Sequence, residues 1–267
     1  MKRPHLITFA VITMLIPAIL FINACKEDSD EVFYGKVNLK VEYKVYGNPL
    51  EYNVMKYVNE AGNHYEVKEV QWFISDLTFY KKGGSPYVVS LLSKSHYFDT
   101  GIPSTQTWEI PDDMREGEYD SISFIFGFTP EANKSFMFVN YPENAMDWPY
   151  NLGGGYHYMK LNGFWKDTVD FRRAFNFHMG IGRTINGTDT TFTHNYFKVS
   201  FNSPFTLLAN KKKEITIAMN IEEWFKNPHI WDFNYWGPAI MENQNAMKTA
   251  KENGQVGVFT VTSVKDL

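Results

Sequence analysis

A single cysteine, Cys25, stands in a chain of 267 residues, so no disulfide can form within it. Basic charge is not in excess either. A net charge of −4 and an isoelectric point near 6.0 leave no electrostatic footprint for nucleic acid. The one basic run, Lys211-Lys212-Lys213, reads as a solvated turn between strands. After Ile22 no apolar stretch is long enough to cross a bilayer. Catalytic signatures are missing as well: no Walker loop, no G-x-S-x-G elbow and no H-E-x-x-H helix. Gly153-Gly154-Gly155 lacks the lysine and helix of a phosphate loop, and reads as backbone that turns or passes close to a neighbour. Asp112-Asp113 and Glu222-Glu223 fall in turn or helix-start contexts, where solvation or capping accounts for them. A non-enzymatic protein is expected.

The first thirty residues carry the clearest signal. Lys2 and Arg3 precede an apolar run over residues 7–22 that is interrupted by Thr8, Thr13 and Pro17, the pattern of a secretory signal. Ile22-Asn23-Ala24-Cys25 resembles a bacterial lipobox, in which the thiol of Cys25 takes a diacylglycerol and becomes the new N-terminus. Two acyl chains anchor firmly where one is marginal, so the membrane is an expected partner through this anchor. Lys26-Glu27-Asp28 and the acidic residues after them resemble the export signal that sends Bacteroidota lipoproteins to the outer membrane and its cell-surface face. The expected organisation is a signal peptide over residues 1–24, a lipidated cysteine and acidic tether over 25–36, and one domain over 37–267.

What the domain has in quantity is aromatic residues, 17% of the chain, and each buried ring removes a large apolar area from water. Val37, Leu39, Val41, Tyr43 and Val45 alternate with polar residues until Gly47-Asn48-Pro49, which marks a half-buried strand and its turn. Similar runs are expected at 68–80, 86–91, 105–110, 121–128, 156–165, 172–179, 196–201 and 213–221. Turn residues separate them, among them Asn186-Gly187-Thr188-Asp189. Helical signal is confined to 221–225 and to 239–253 with Gly254 as a stop. The fold class expected is all-β, a single antiparallel β sandwich with short helical segments near the C-terminus.

Histidines are the best candidate ligands. His178 lies in the apolar run Phe175-Asn176-Phe177-His178-Met179-Gly180, and His157 in Gly155-Tyr156-His157-Tyr158-Met159-Lys160. An imidazole so placed is either hydrogen-bonded in the core or ligated. On neighbouring strands, with sulfur from Met146, Met159 or Met179, the two would suit Cu(I). Aromatics near loops, among them Trp148, Tyr150, Trp165, Trp231, Tyr235 and Trp236, either close the ends of a sandwich or stack on sugar rings. The second alternative makes the protein a metal-free surface glycan-binding or adhesion lipoprotein.

Several segments taken in order carry a resemblance. They are the stretch from Tyr57-Val58-Asn59-Glu60 through His64-Tyr65 into Val70-Gln71-Trp72-Phe73-Ile74-Ser75-Asp76-Leu77, then Glu118-Tyr119-Asp120, Asn133, Met146-Asp147-Trp148-Pro149, Gly154-Gly155-Tyr156 and Phe175-Asn176-Phe177-His178-Met179-Gly180. Together they resemble the MbnP-like family over about residues 37–258, in a form similar to that of Bacteroidota. These are secreted proteins associated with copper and, in some members, with methanobactin. The resemblance implies a β-rich secreted domain that binds copper through histidines. It also implies a neighbouring tryptophan open to oxidation to kynurenine, and a dihaem peroxidase-like partner that performs the oxidation. His178 matches the family's late-strand histidine and Trp148 its tryptophan. Where many members carry an early-strand histidine, this chain has Tyr43-Lys44-Val45-Tyr46, which leaves His157 or His64 to complete a metal set.

Overall fold

The alternation from Val37 to Val45 is realised as a strand, Tyr34–Val45, whose Val37, Leu39, Val41, Tyr43 and Val45 are all buried. In the computed structural model, which describes residues 32–90 and 94–267, this strand is central to one of two large sheets. The strand starts three positions ahead of the expected domain boundary, because Tyr34 and Gly35 pair with Arg115 and Met114. Cys25 and the export signal lie outside the described residues.

The first sheet runs Phe259–Asp266, Lys212–Asn220, Tyr34–Val45, with the short strand Asn48–Pro49 at its edge. Here the expectation of a purely antiparallel sandwich needs correcting. Tyr34–Val45 and Lys212–Asn220 are parallel, in a register from Lys36 opposite Lys212 to Lys44 opposite Asn220. Two strands so far apart in sequence need no tight turn between them, so nothing local imposes the antiparallel sense. The second sheet is antiparallel in the order Arg172–Met179, Met159–Lys166, His64–Lys81, Gly117–Phe126, Phe197–Leu207. A separate hairpin, Ile181–Asn186 with Asp189–His194, turns at the expected Asn186-Gly187-Thr188-Asp189.

The sheets share one aromatic core. Trp72 of the second sheet donates its indole N–H to the Tyr43 hydroxyl of the first at 3.0 Å. Its ring lies 4.8 Å from Phe98, 6.0 Å from Phe126 and 5.2 Å from Phe259, the last again from the first sheet. Tyr43 is thus part of the interlayer core. At the C-terminal side, Ile221–Phe225 forms a 3-10 turn and Gln244–Gly254 an α-helix. The helix starts later than position 239 because the Asn243 side chain captures the N–H of Ala246 and caps it there. Gly254 lies inside its last turn, where an added Cβ would sit 2.5 Å from the Trp224 ring.

The strands at 95–99, 181–194 and 259–266 are additions to the sequence reading. Phe259 shows what the last contributes: it is buried and touches Trp72, Phe124, Phe126 and Trp224. Phe259→Ala is expected to cost about 3–5 kcal/mol of unfolding free energy. Denaturant titration measures it, and a loss below about 1 kcal/mol would mean that the final strand lies outside the cooperative core.

Candidate metal centre

Alternation along Met159–Lys166 assigns its side chains to two faces: Met159, Leu161 and Trp165 are buried, while Lys160, Asn162, Phe164 and Lys166 are only partly so. Met159 stands opposite Trp72 on one side and Met179 on the other, so all three belong to the face turned to the sandwich interior. The next row, Gln71–Lys160–His178, therefore belongs to the outer face, and Glu69–Asn162–Asn176 follows two residues along. His178 is in this way an outer-face residue. The sulfurs of Met159 and Met179 are turned away from it, which leaves Met146 among the methionines read as candidates.

The segment before Met159 folds back over that outer face. Glu143–Met146 is a 3-10 turn, Asp147 bridges to Tyr156, Trp148 N–H donates to Gly155 O at 2.8 Å and His157 N–H to Met146 O at 2.7 Å. Gly155 makes the return possible. Its φ is +77°, and a Cβ there would meet the Asn133 side chain at 2.5 Å, where Asn133 Oδ1 accepts from Tyr156 N–H. This is the turn and close pass expected of the glycine triplet. The fold-back brings His157 and His178 together, with ring centroids 5.2 Å apart and planes at 79°. Trp148 lies edge-on to His157 at 4.7 Å, buried, with its indole N–H held by Leu152 O at 3.1 Å. Beneath it Gly180 leaves the necessary room, since a Cβ would lie 2.6 Å from the indole.

Both imidazoles are uncharged at neutral pH. Burial pushes the His178 pKa down to about 4, with the Lys160 ammonium acting in the same direction. Burial also holds His157 well below the usual histidine range, helped by Lys160 and by His178 itself. The Lys160 pKa is in turn lowered by burial, opposed by Glu69 and Asp147. Each ring has one nitrogen in a short hydrogen bond: His157 Nδ1 to Met146 O at 2.9 Å, and His178 Nε2 to Asn162 Oδ1 at 2.7 Å. His178 Nδ1 is buried with no hydrogen-bond partner. Two neutral rings, one with an orphaned lone pair, are a donor set for a soft or borderline cation.

His64 is placed elsewhere. It is exposed at the start of His64–Lys81 and pairs with Val58, at the end of the strand where Tyr65 faces Trp165, whereas His178 is level with Gln71. His64 lies seven positions along the strand from Gln71, about 23 Å. His96 stacks on Trp108 at 5.2 Å and His229 pairs with Glu252 at 2.7 Å. Among the described residues, no group of three or more His, Cys, Asp or Glu is placed to share an ion. Lys160, Asn162 and Glu69 were not legible as site residues from sequence. Only the cross-strand register puts them beside His178.

The molecule is an all-β sandwich with a histidine pair, one buried and one partly so, and a tryptophan on the outer face of its larger sheet. It belongs to the MbnP family, whose model matches residues 34–244. Among solved structures, MbnP from Methylosinus trichosporium is similar at 11% identity, with a TM-score of 0.45 over 87% of this chain and 99% of that one. No curated protein matches.

Gly180→Ala is expected to push the Trp148 indole off His157 at a cost of about 1–3 kcal/mol. A lower melting temperature with altered near-ultraviolet dichroism of the tryptophan would report it. An unchanged spectrum would mean that Trp148 does not depend on this contact.

Proposed function

We propose that this protein binds copper through His157 and His178 beside Trp148, without catalysing a reaction of its own. What carries the reading is the pair of uncharged imidazoles 5.2 Å apart, one of them with a buried, unpartnered nitrogen. Two nitrogen donors suit Cu(I), a filled-shell ion content with few ligands. Lys160 sets a positive charge close by, with its ammonium donating to Ala145 O at 2.6 Å, which favours the ion of lower charge.

The membrane belongs to the same proposal. Cys25 carries the lipid that anchors the protein at the outer membrane, and Lys26-Glu27-Asp28 direct it to the cell surface. A partner of the dihaem peroxidase type, for which Trp148 would be the oxidisable residue, finds support in the apolar rim around the fold-back. Phe136, Val139, Tyr141 and Tyr150 are each more than 70% exposed, on segments joined to it by the Phe138 N–H to Tyr156 hydroxyl bond and by Gly154. The glycan-binding alternative has less support, because Trp148, Trp165 and Trp231 are buried and only Tyr150 and Tyr235 of that set stand out into solvent.

Anaerobic Cu(I) titration of the purified protein is expected to give one ion per chain, and His157→Ala or His178→Ala to abolish it while the chain stays folded. A wild type that takes up no copper overturns the reading. In cells, radiolabelled palmitate is expected on the wild type and not on Cys25→Ser; label that persists on the variant would remove the lipoprotein assignment.

A further inference from the structure

We propose that Glu69 and Asn162 are positioning residues that commit His178 to its Nε2–H tautomer, so that Nδ1 is the nitrogen offered to a ligand. The inference follows from three side chains on the outer face. Glu69 stands directly opposite Asn162 across the strand pair, and Asn162 lies two residues beyond Lys160, the residue opposite His178. Asn162 Nδ2 donates to Glu69 Oε1 at 2.9 Å, and Asn162 Oδ1 meets His178 Nε2 at 2.7 Å.

The chemistry runs in one direction. A carboxylate offers only acceptors, so the amide must present its NH2 group to Glu69. Its oxygen then faces His178, and an oxygen can only accept, so the proton of the neutral ring sits on Nε2. The lone pair is left on Nδ1, the atom that is buried and has no partner. Turning the amide over would set oxygen against oxygen at Glu69 and NH2 against N–H at His178. Lys160 donates to Ala145 O, and no group bonds to Nδ1. His157 is fixed in the opposite sense. Met146 O accepts from its Nδ1–H, which leaves Nε2 as the basic nitrogen. The two rings thus present unlike nitrogens, one held by backbone and one by a two-residue relay on the sheet. Such outer partners orient metal-binding imidazoles and raise their basicity, and losing one typically weakens a metal about 10–100-fold.

The tautomer assignment stands on hydrogen bonding alone; its bearing on affinity rests on the copper reading. Long-range 1H–15N spectra of the metal-free protein at neutral pH report the tautomer of each histidine directly. His178 is expected to give a single Nε2–H pattern in the wild type and to keep it in the double variant Asn162→Asp/Glu69→Gln, in which the new carboxylate accepts both from His178 and from the amide at position 69. It is expected to shift toward Nδ1–H or a mixture in Asn162→Leu. In Glu69→Gln, a partly exposed and isosteric change that leaves the sheet intact, the amide is free to turn and a mixture is expected again. A wild-type His178 in the Nδ1–H form, or a tautomer unmoved in both Asn162→Leu and Glu69→Gln, overturns the relay. Cu(I) competition is the second arm: affinity is expected to fall about 10–100-fold in Asn162→Leu and to recover in Asn162→Asp/Glu69→Gln. Copper bound equally well by all variants overturns the positioning role. A wild type that binds none defeats the copper reading, while the spectra still decide the relay.

Discussion

The contact on which the rest depends is the indole of Trp72 between the two sheets. With no disulfide available, the layers are held by side-chain burial, and Trp72 reaches across to the Tyr43 hydroxyl while lying against Phe98, Phe126 and Phe259. A strand whose largest ring is fixed inward has its register fixed as well, because a slip of one residue would turn every side chain to the other face. Once Trp72 points in, Met159 and Met179 point in beside it, and Gln71, Lys160 and His178 must point out. The chemistry on the outer face is set by packing on the inner one.

That outer face would ordinarily meet water. Here the fold-back from Glu143 to Tyr158 roofs it, and burial beneath the roof keeps both imidazoles neutral. The roof depends on places where no side chain fits, Gly155 against Asn133 and Gly180 against Trp148. Polar groups under it are mostly paired, which makes the lone nitrogen of His178 conspicuous.

Much of the fold was legible because period-two alternation survives wherever one strand face is buried. Val37 to Val45 is the clearest case, and Asn186-Gly187 announced its turn, though not the two strands on either side of it. The parallel pairing was not legible, since partners remote in sequence leave no local mark. The closing strand escaped for a related reason: it sits at a sheet edge, where Thr260, Thr262 and Ser263 dilute the apolar pattern. Of the site, His157 and His178 could be chosen as imidazoles in apolar settings, and Trp148 through the family resemblance. Their meeting, the exclusion of His64, and the roles of Glu69, Asn162 and Lys160 all follow from register, which sequence alone does not supply. For Trp165 and Trp231 sequence left open whether they close the sandwich or stack on sugar rings; both rings turn inward.

The parallel pairing also has a meaning in time. Tyr34–Val45 is among the first parts of the domain to be synthesised, and its neighbour, Lys212–Asn220, is among the last. Contacts of such long sequence separation are reached late and slowly, because the entropy of closing the loop must be overcome before any pairing rewards it. A chain emerging amino end first holds its opening strand unpaired on that side until nearly everything else has arrived. Completion of the smaller sheet thus acts as a check on the integrity of the chain: a product truncated before Lys212 would have a first strand with no neighbour there to close against.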